Sequence, residues 1–231
     1  MTRTAELSKS LEAVEERLAA ACAAAGRPRA DVLLVAVSKT RPASDVAALH
    51  ALGVRDVGES RDQEARSKAE ALAELDLRWH FVGTLQSNKA DSVAAYADVV
   101  HSVDRLSLVR ALSRATARTG RQLDVLLQVS LDGDPTRGGA DEADLAGLGE
   151  QVADSEGLRL AGVMAVAPRE ADSKLAFDAL SRISDRLRKD HPTAVEISAG
   201  MSGDLETAIA IGATMVRVGT ALFGSRPPLL R

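Results

Sequence analysis

Short apolar segments alternate with longer amphipathic segments along almost the whole chain, and this regular alternation constrains the fold more than any other feature. The apolar segments are rich in β-branched residues and short enough to be buried strands. Gly, Pro, Asp or Ser flank most of the amphipathic segments, as is usual for helices. The predicted strands cover residues 32–37, 54–57, 79–82, 99–101, 123–129, 160–166, 194–197 and 215–218. The predicted helices cover residues 43–52, 63–75, 89–96, 106–119, 142–155, 173–189 and 205–211.

This order of elements predicts a parallel sheet closed into a barrel. Strands that alternate with helices are joined by right-handed crossovers, and eight such units match an α/β protein with a single (β/α)8 TIM barrel. An open, doubly wound sheet is the alternative, but no Gly-x-Gly-x-x-Gly pattern follows the first strand. Leu7, Leu11, Val14 and Leu18 recur at helical spacing, which predicts an extra N-terminal helix ending near Gly26.

The composition excludes several classes of protein. Hydrophobic residues make up 45% and charged residues 27% of the chain, as in an ordinary globular protein, and a single domain is expected over residues 1–231. A net charge of −4 argues against binding to nucleic acid. The single cysteine, Cys22, provides neither a disulfide framework nor a thiolate metal site. No signal peptide or membrane-spanning segment is evident, so no membrane association and a cytoplasmic location are expected.

Lys39 lies just after the first predicted strand, separated from it only by Ser38. In α/β barrels the functional groups collect at the carboxyl ends of the strands. Most lysines are solvated surface charges, but an amine buried at a dry barrel opening would have its charged form destabilised and could attack a carbonyl. Lys39 is therefore a candidate Schiff-base former, and this interpretation expects its side chain to be buried.

Two glycine-containing turns follow the last two predicted strands, at residues 198–204 and 218–224. In a barrel these turns would be neighbours at the place where barrel enzymes often hold a phosphate group. Ser202 and Thr220 could donate hydroxyl hydrogen bonds to that group. The alternative for Ser202 is a helix N-cap, and for Thr220 a cap or a turn.

Arg217 interrupts the last apolar strand. It could pair with a carboxylate across the barrel, or it could point into the lumen and donate to a heteroaromatic nitrogen. His80 and His101 each lie in an apolar strand without a second ligand at metal spacing, so we predict hydrogen-bonded core histidines and no metal site.

Taken together, the motifs of this chain closely resemble the YggS-type pyridoxal phosphate homeostasis protein family, whose barrel is that of the alanine racemase N-terminal domain. The strongest parts of the resemblance are the block from Trp79 to Lys89 and the final Arg217-Val218-Gly219-Thr220. The resemblance extends over nearly the whole chain, through residues 36–40, 57–59, 79–89, 101–104, 162–165, 198–202 and 216–224.

The resemblance implies a site for pyridoxal phosphate (PLP). It implies that Lys39 forms the internal aldimine and that Arg217 faces the pyridine nitrogen. It further implies that the phosphate is held by Ser202, Gly219 and Thr220, together with Ser198 and Met201. Met164 and Ser60 are further candidate contacts. The family usually has asparagine where this chain has Ser60, and this difference implies looser binding of the cofactor.

A binding role then accounts for the sequence better than an enzymatic one. An arginine cannot accept a proton, so it keeps the pyridine nitrogen unprotonated and weakens the ring as an electron sink. Alanine racemase, which the barrel resembles, completes its site with a tyrosine from a second domain. The only tyrosine here, Tyr96, is predicted on an outer helix, so the resemblance does not imply a second proton-transfer group. We expect a monomer that stores or delivers PLP, with transient contact to PLP-dependent apo-enzymes. A low-activity amino-acid racemase and a lysine-dependent aldolase for a sugar phosphate are the alternatives.

Overall fold

The strands of the chain close into one parallel barrel. A computed structural model describes residues 2–134, 136–168 and 172–224. Each strand pairs in parallel with the next, and the last pairs with the first, so the predicted (β/α)8 barrel is confirmed. The strands are β1 (Leu33–Val37), β2 (Asp56–Glu59), β3 (Arg78–Phe81), β4 (Val99–Val103), β5 (Leu123–Gln128), β6 (Leu158–Met164), β7 (Glu196–Ser198) and β8 (Met215–Val218).

Helices surround the barrel and follow the strands in the predicted order. Their bounds are α1 (Arg3–Ala24), α2 (Ala43–Ala51), α3 (Asp62–Ala71), α4 (Ala90–Tyr96), α5 (Leu106–Thr119), α6 (Leu145–Ala153), α7 (Ser173–Asp190), α8 (Leu205–Ala210) and α9 (Thr220–Phe223). Helix α3 ends at Ala71 rather than at residue 75, and β2 begins at Asp56 rather than at residue 54 and ends at the buried Glu59. Hydrophobicity could not locate the ends of β2 because both of them are acidic.

The predicted extra helix, α1, packs on the outside of the barrel beside the pairing of β1 with β8. Its buried residues Leu7, Val14 and Leu18 share one hydrophobic cluster with residues of α2, α8, α9 and β8. Complete burial of each such side chain contributes about 1.5–3 kcal/mol. The helix therefore covers the side of the barrel on which the first and last strands meet. None of the helices in the described ranges is both long and apolar enough to cross a membrane.

Residues of the strands alternate between the helices and the barrel lumen. In β1, Leu34 and Ala36 belong to the outer cluster, so Val35 and Val37 face inward. Arg217 is the register partner of Val35 and faces inward with it. The lumen also contains a small apolar cluster of Val99, Leu126, Ala161 and Met164.

Candidate functional site

The predicted site residues lie at one end of the barrel, where the strands finish, and we call this end the mouth. Lys39 follows β1, Ser60 follows β2, and Met164 ends β6. The two predicted turns follow β7 and β8, and they are in contact: the Ala221 main-chain N–H donates to Ser202 Oγ at 3.3 Å. The turn after β8 also meets the end of β1, since a Cβ at Gly219 would lie 3.2 Å from the Val37 carbonyl oxygen. Three neighbouring strand ends therefore surround one space.

Lys39 is exposed, and the expectation that it is buried is wrong. Strand β1 ends at Val37, and the chain turns at once, with the Arg41 N–H donating to the Ser38 carbonyl at 2.9 Å. Thr40 has φ 65°, a left-handed conformation that is unusual for a β-branched residue and costs about 1–3 kcal/mol. The turn therefore carries the amine into solvent, and burial does not activate it here.

A buried ionic network that the sequence did not suggest holds this turn from below. Lys68 on α3 is only 6% exposed, and its Nζ donates to the Ser38 carbonyl at 2.8 Å. It also donates to Glu59 Oε1 at 2.5 Å and Glu64 Oε1 at 2.8 Å. Burial raises the pKa of Glu59, against the opposing effect of its hydrogen bonds from Lys68 and Ser38. The only sequence signal was Glu59 within the family motif.

The turn after β7 is built from local hydrogen bonds and fixed from outside by α1. The Met201 N–H donates to Asp204 Oδ1 at 2.6 Å, and Arg17 of α1 donates to the Ser202 carbonyl at 3.1 Å. Ser202 is not the N-cap of α8, because that position is occupied by Asp204. Its hydroxyl oxygen instead accepts the N–H of Ala221 in the neighbouring turn, which leaves the hydroxyl hydrogen free to donate.

The remaining residues of the two turns differ in exposure. Thr220 is the first residue of α9 and is exposed, and Met201 is 39% exposed. Ser198 is fully buried and its side chain points inward, away from the solvent-facing part of the mouth. Thr220 and Met201 are therefore accessible to a ligand at the mouth, whereas Ser198 is positioned to support other residues.

Arg217 carries a buried charge in the lumen just below the mouth, and it is only 5% exposed. Its Nη1 donates to the Ser198 carbonyl at 2.8 Å and to Ser198 Oγ at 2.5 Å, and its Nη2 donates to the Ala165 carbonyl at 2.9 Å. These partners are neutral, and within residues 2–134, 136–168 and 172–224 no carboxylate pairs with Arg217, so the predicted alternative of a carboxylate pair across the barrel is not found there. Burial lowers the pKa of Arg217 to about 10, which leaves the guanidinium charged at neutral pH.

His80 and His101 are hydrogen-bonded core residues, as predicted, and they contact each other. His80 Nδ1 lies 2.8 Å from His101 Nε2, and His101 Nδ1 lies 2.9 Å from Ser198 Oγ. Burial lowers the pKa of both imidazoles. Within the ranges that the structure covers, no group of three or more His, Cys, Asp or Glu side chains is arranged to hold a metal ion.

The other two candidate contacts border the mouth. Ser60 is half-buried in the loop after β2, and its main chain lies against Gly83: a Cβ at Gly83 would fall 2.2 Å from the Ser60 carbonyl oxygen. Only glycine permits this approach. Met164 is buried, faces the lumen, and is the register partner of Ser198. Tyr96 is buried on the outer helix α4, and burial raises the pKa of its hydroxyl, with the carboxylates of Asp62 and Glu59 adding to the effect.

Comparison with known proteins places this geometry in context. A family model described as the N-terminal domain of alanine racemase matches residues 10–227. The pyridoxal phosphate homeostasis protein of Mycobacterium tuberculosis strain H37Rv is 46% identical over 243 aligned residues, covering 97% of this chain and 94% of that protein. The protein of the same name from Escherichia coli K12 is 37% identical over 227 residues, covering 96% and 97%.

Solved structures agree with these sequence matches. PipY of Synechococcus elongatus PCC7942 with PLP bound superposes with a TM-score of 0.84 at 35% identity, covering 94% of this chain and all of that one. The alanine racemase of Corynebacterium glutamicum has a TM-score of 0.68 at 16% identity and covers 96% of this chain but only 62% of the racemase. The second likeness shows a shared barrel fold and nothing further.

Proposed function

The chain belongs to the family of pyridoxal phosphate homeostasis proteins, which have the alanine racemase N-terminal fold, and we propose that it binds PLP at the mouth and stores or delivers it without efficient catalysis. The observation that supports this most strongly is Arg217, a buried cation that has no carboxylate partner in the described part of the chain and lies directly below two adjoining turns that contain accessible hydroxyl groups. This combination suits a ligand with a basic ring nitrogen and an anionic ester.

The hydrogen-bonding capacity of Arg217 fits a pyridine ring. A guanidinium has five N–H groups, and three of its bonds here go to Ser198 and Ala165. Among the residues that the structure describes, no acceptor meets its Nε–H or its second Nη2–H. A buried donor without a partner is costly, and the unprotonated nitrogen of a pyridine would satisfy it. Arg217 would keep that nitrogen unprotonated because it cannot accept a proton.

The two turns fit a phosphate group. Because Gly219 has no side chain, an anion can approach its main chain. A Cβ at this position would already lie 3.2 Å from the Val37 carbonyl oxygen. Ser202 has a hydroxyl hydrogen to donate, Thr220 is exposed beside it, and Met201 borders the same space. In this proposal Ser198 supports Arg217 and does not bind the phosphate directly, because its hydroxyl is engaged by Arg217 and His101.

Lys39 is the amine that we propose to link the aldehyde covalently. Every second residue of β1 faces inward, and Lys39 continues the series of the inward-facing Val35 and Val37. A small change in the turn would therefore direct its side chain over the lumen. Its exposure in the present turn makes it accessible to an incoming aldehyde. The amine nitrogen would bond to the aldehyde carbon as a C=N bond and one water molecule would leave.

Among the residues that the structure describes, no tyrosine lies at the mouth to act as the second proton carrier that racemisation requires. The only tyrosine of the chain, Tyr96, is buried on α4, and the raised pKa of its hydroxyl opposes ionisation. Arg217 further opposes catalysis because it favours the unprotonated ring. We therefore propose a binding protein, acting as a monomer in the cytoplasm and passing PLP to apo-enzymes by transient contact.

Reconstitution with PLP tests this proposal. We expect the purified protein to gain a visible absorption band, and borohydride reduction followed by peptide mass analysis to find the pyridoxyl group on Lys39. The Lys39→Ala variant should lose both signals, whereas Lys174→Ala, which removes an exposed amine on α7, should keep them. Retention of the reduced adduct by Lys39→Ala would overturn the assignment of Lys39.

Two further assays address the alternative activities. Exchange of the alanine Cα proton for deuterium at a rate far above that of free PLP would indicate a racemase. Borohydride trapping of a sugar phosphate in place of PLP would indicate an aldolase. We expect neither result.

A further inference from the structure

A hydrogen-bonded chain of side chains runs through the lumen from the amino end of the barrel to Arg217. It begins at Asp56, the first residue of β2, whose Oδ1 lies 2.8 Å from His80 Nε2. It continues from His80 to His101 at 2.8 Å and from His101 to Ser198 Oγ at 2.9 Å. It ends at Arg217, whose Nη1 lies 2.5 Å from Ser198 Oγ. Four strands therefore contribute to support one guanidinium from behind.

The chemistry of the two ends fixes the direction of every bond in this chain. Asp56 can only accept when ionised, so His80 must donate from Nε2 and accept at Nδ1. His101 must then donate from Nε2 and accept at Nδ1. Ser198 donates its hydroxyl hydrogen to His101 Nδ1, which leaves its oxygen free to accept from Arg217. All donors and acceptors in this order are matched.

The reverse order leaves two faults. An unprotonated His80 Nε2 would face the Asp56 carboxylate, which places two acceptors together. Ser198 would receive hydrogen bonds from both His101 and Arg217, and its own buried hydrogen would need another acceptor. Both imidazoles lie almost completely out of contact with water, and burial lowers the pKa of each, which favours their neutral forms. One tautomer of each histidine, with the hydrogen on Nε2, is thus selected.

We propose that Asp56, His80 and His101 are positioning residues that fix the Ser198 hydroxyl as an acceptor and so hold the Arg217 guanidinium in the orientation required by the ring nitrogen of its ligand. This inference rests on the proposed function for the identity of the ligand. It assigns a purpose to two buried histidines that apolar residues could replace if packing alone were required.

The first test uses the protein without PLP. A His50→Asn/His191→Asn variant removes the histidine on α2 and the one that follows α7, and it leaves His80 and His101 as the only histidines of the sequence. We expect long-range 1H–15N correlation spectra at neutral pH to show two neutral imidazoles, both with hydrogen on Nε2 and not on Nδ1. A charged ring, or hydrogen on Nδ1 of either residue, would overturn the proposed chain.

The second test measures the effect on bound PLP. His101→Leu breaks the chain, and we expect the dissociation constant for PLP to rise about tenfold, the equivalent of one good hydrogen bond, with a shifted absorption maximum of the bound chromophore. His101→Gln retains a donor and an acceptor and should restore much of both properties. Leu180→Ala, a buried change on the outer helix α7, should destabilise the protein without moving the absorption maximum.

The outcomes separate this inference from the proposed function. A wild-type absorption maximum and dissociation constant in His101→Leu, or an equal shift in Leu180→Ala, would show that the histidines serve packing only. If the wild-type protein does not bind PLP but both histidines carry hydrogen on Nε2, the proposed function is wrong and the hydrogen-bonded chain itself stands.

Discussion

Two buried cations lie close to the mouth, and their partners differ in charge. Lys68 is held by two carboxylates, Glu59 and Glu64, together with the Ser38 carbonyl. Arg217 is held by the neutral groups of Ser198 and Ala165. The charge of Lys68 is therefore compensated within the protein, whereas the charge of Arg217 remains for another group to use. We interpret the first cation as structural and the second as part of the binding site.

The same contrast separates the two sides of the mouth. The Arg217 side is rigidly organised before any ligand arrives, by bonds that reach across the lumen. The Lys39 side is an exposed turn with an unfavourable backbone conformation at Thr40, held by Lys68 at the Ser38 carbonyl and by Glu64 at the Thr40 N–H. In the proposed function, recognition of the ring would thus be preorganised, and the amine proposed for the covalent contact is left accessible. A protein that must take up and release its ligand benefits from this division.

Removal of Lys68 should have the largest effect on stability. Lys68→Ala leaves the Glu59 carboxylate buried without its cation, and we expect the free energy of unfolding to fall by about 3–5 kcal/mol in urea titrations. The Lys68→Met/Glu59→Gln double variant removes both charges and should recover most of this loss. A small effect of Lys68→Ala would contradict the structural interpretation of this cation.

Arg217→Met should reduce PLP affinity strongly and stability only slightly. Loss of the guanidinium deprives three oxygen atoms of a donor but removes an uncompensated charge, so we expect the free energy of unfolding to fall by only about 1–2 kcal/mol. PLP affinity should fall about a hundredfold, since charged hydrogen bonds to the ligand are lost. Arg217→Lys serves as the control: it keeps a charge without the planar arrangement of donors and should restore little affinity. Undiminished PLP binding by Arg217→Met would remove the central support for the site.

The pH dependence of stability tests the buried Glu59–Lys68 pair separately. Burial raises the folded-state pKa of Glu59 above its ordinary value of 4.5. A raised folded pKa means that this group favours folding below the unfolded pKa, and that the contribution is lost as pH rises through the folded pKa. Glu59→Gln cannot ionise, so its stability relative to the wild type should improve as pH increases from about 4 to 8. A difference that is constant with pH would show that Glu59 is not desolvated.

The sequence predicted the barrel because its signal is repeated. Eight apolar segments separated by helical patterns leave few alternatives, and an error in one boundary, such as that of β2, does not change the topology. The burial of Lys39 was mispredicted because an apolar run does not show where its strand ends. The turn at Thr40 depends on contacts with Glu64, whose carboxylate accepts the Thr40 N–H.

The polar contacts inside the barrel could not be predicted from the sequence. His80 and His101 were predicted to be buried, but their contact depends on the stagger between β3 and β4, since His80 is in register with Val99 and not with His101. Glu64 and Lys68 have the spacing of an ordinary exposed helix pair, and nothing in the sequence indicates that the end of β1 covers them. Contacts of this kind depend on three-dimensional register rather than on local pattern.

Thr40→Gly should have a moderate effect on stability, and it tests the difference between the Lys39 side and the Arg217 side of the mouth. Glycine adopts the left-handed conformation without steric cost, so we expect the free energy of unfolding to rise by about 1 kcal/mol. If the turn must rearrange to bring Lys39 over the lumen, stabilisation of the present turn should also slow covalent uptake of PLP, followed as the growth of visible absorbance. Gly219 and Arg217 are unaffected, so reversible binding of an analogue without the aldehyde should not change.

Ser60→Asn should have the smallest effect. Ser60 is half-buried beside the mouth, and its main chain is fixed against Gly83, so a longer side chain can be introduced without moving the loop. An asparagine, the residue usual at this position in the family, could add one neutral hydrogen bond to the ligand, worth about 0.5–1.5 kcal/mol. We expect PLP to bind about two- to twelvefold more tightly in equilibrium titrations. Ser113→Asn on the outer helix α5 is the matched control and should leave the affinity unchanged. Equal affinities for Ser60→Asn and the wild type would show that the β2 loop does not reach the ligand, and would confine recognition to the β7 and β8 turns and Arg217.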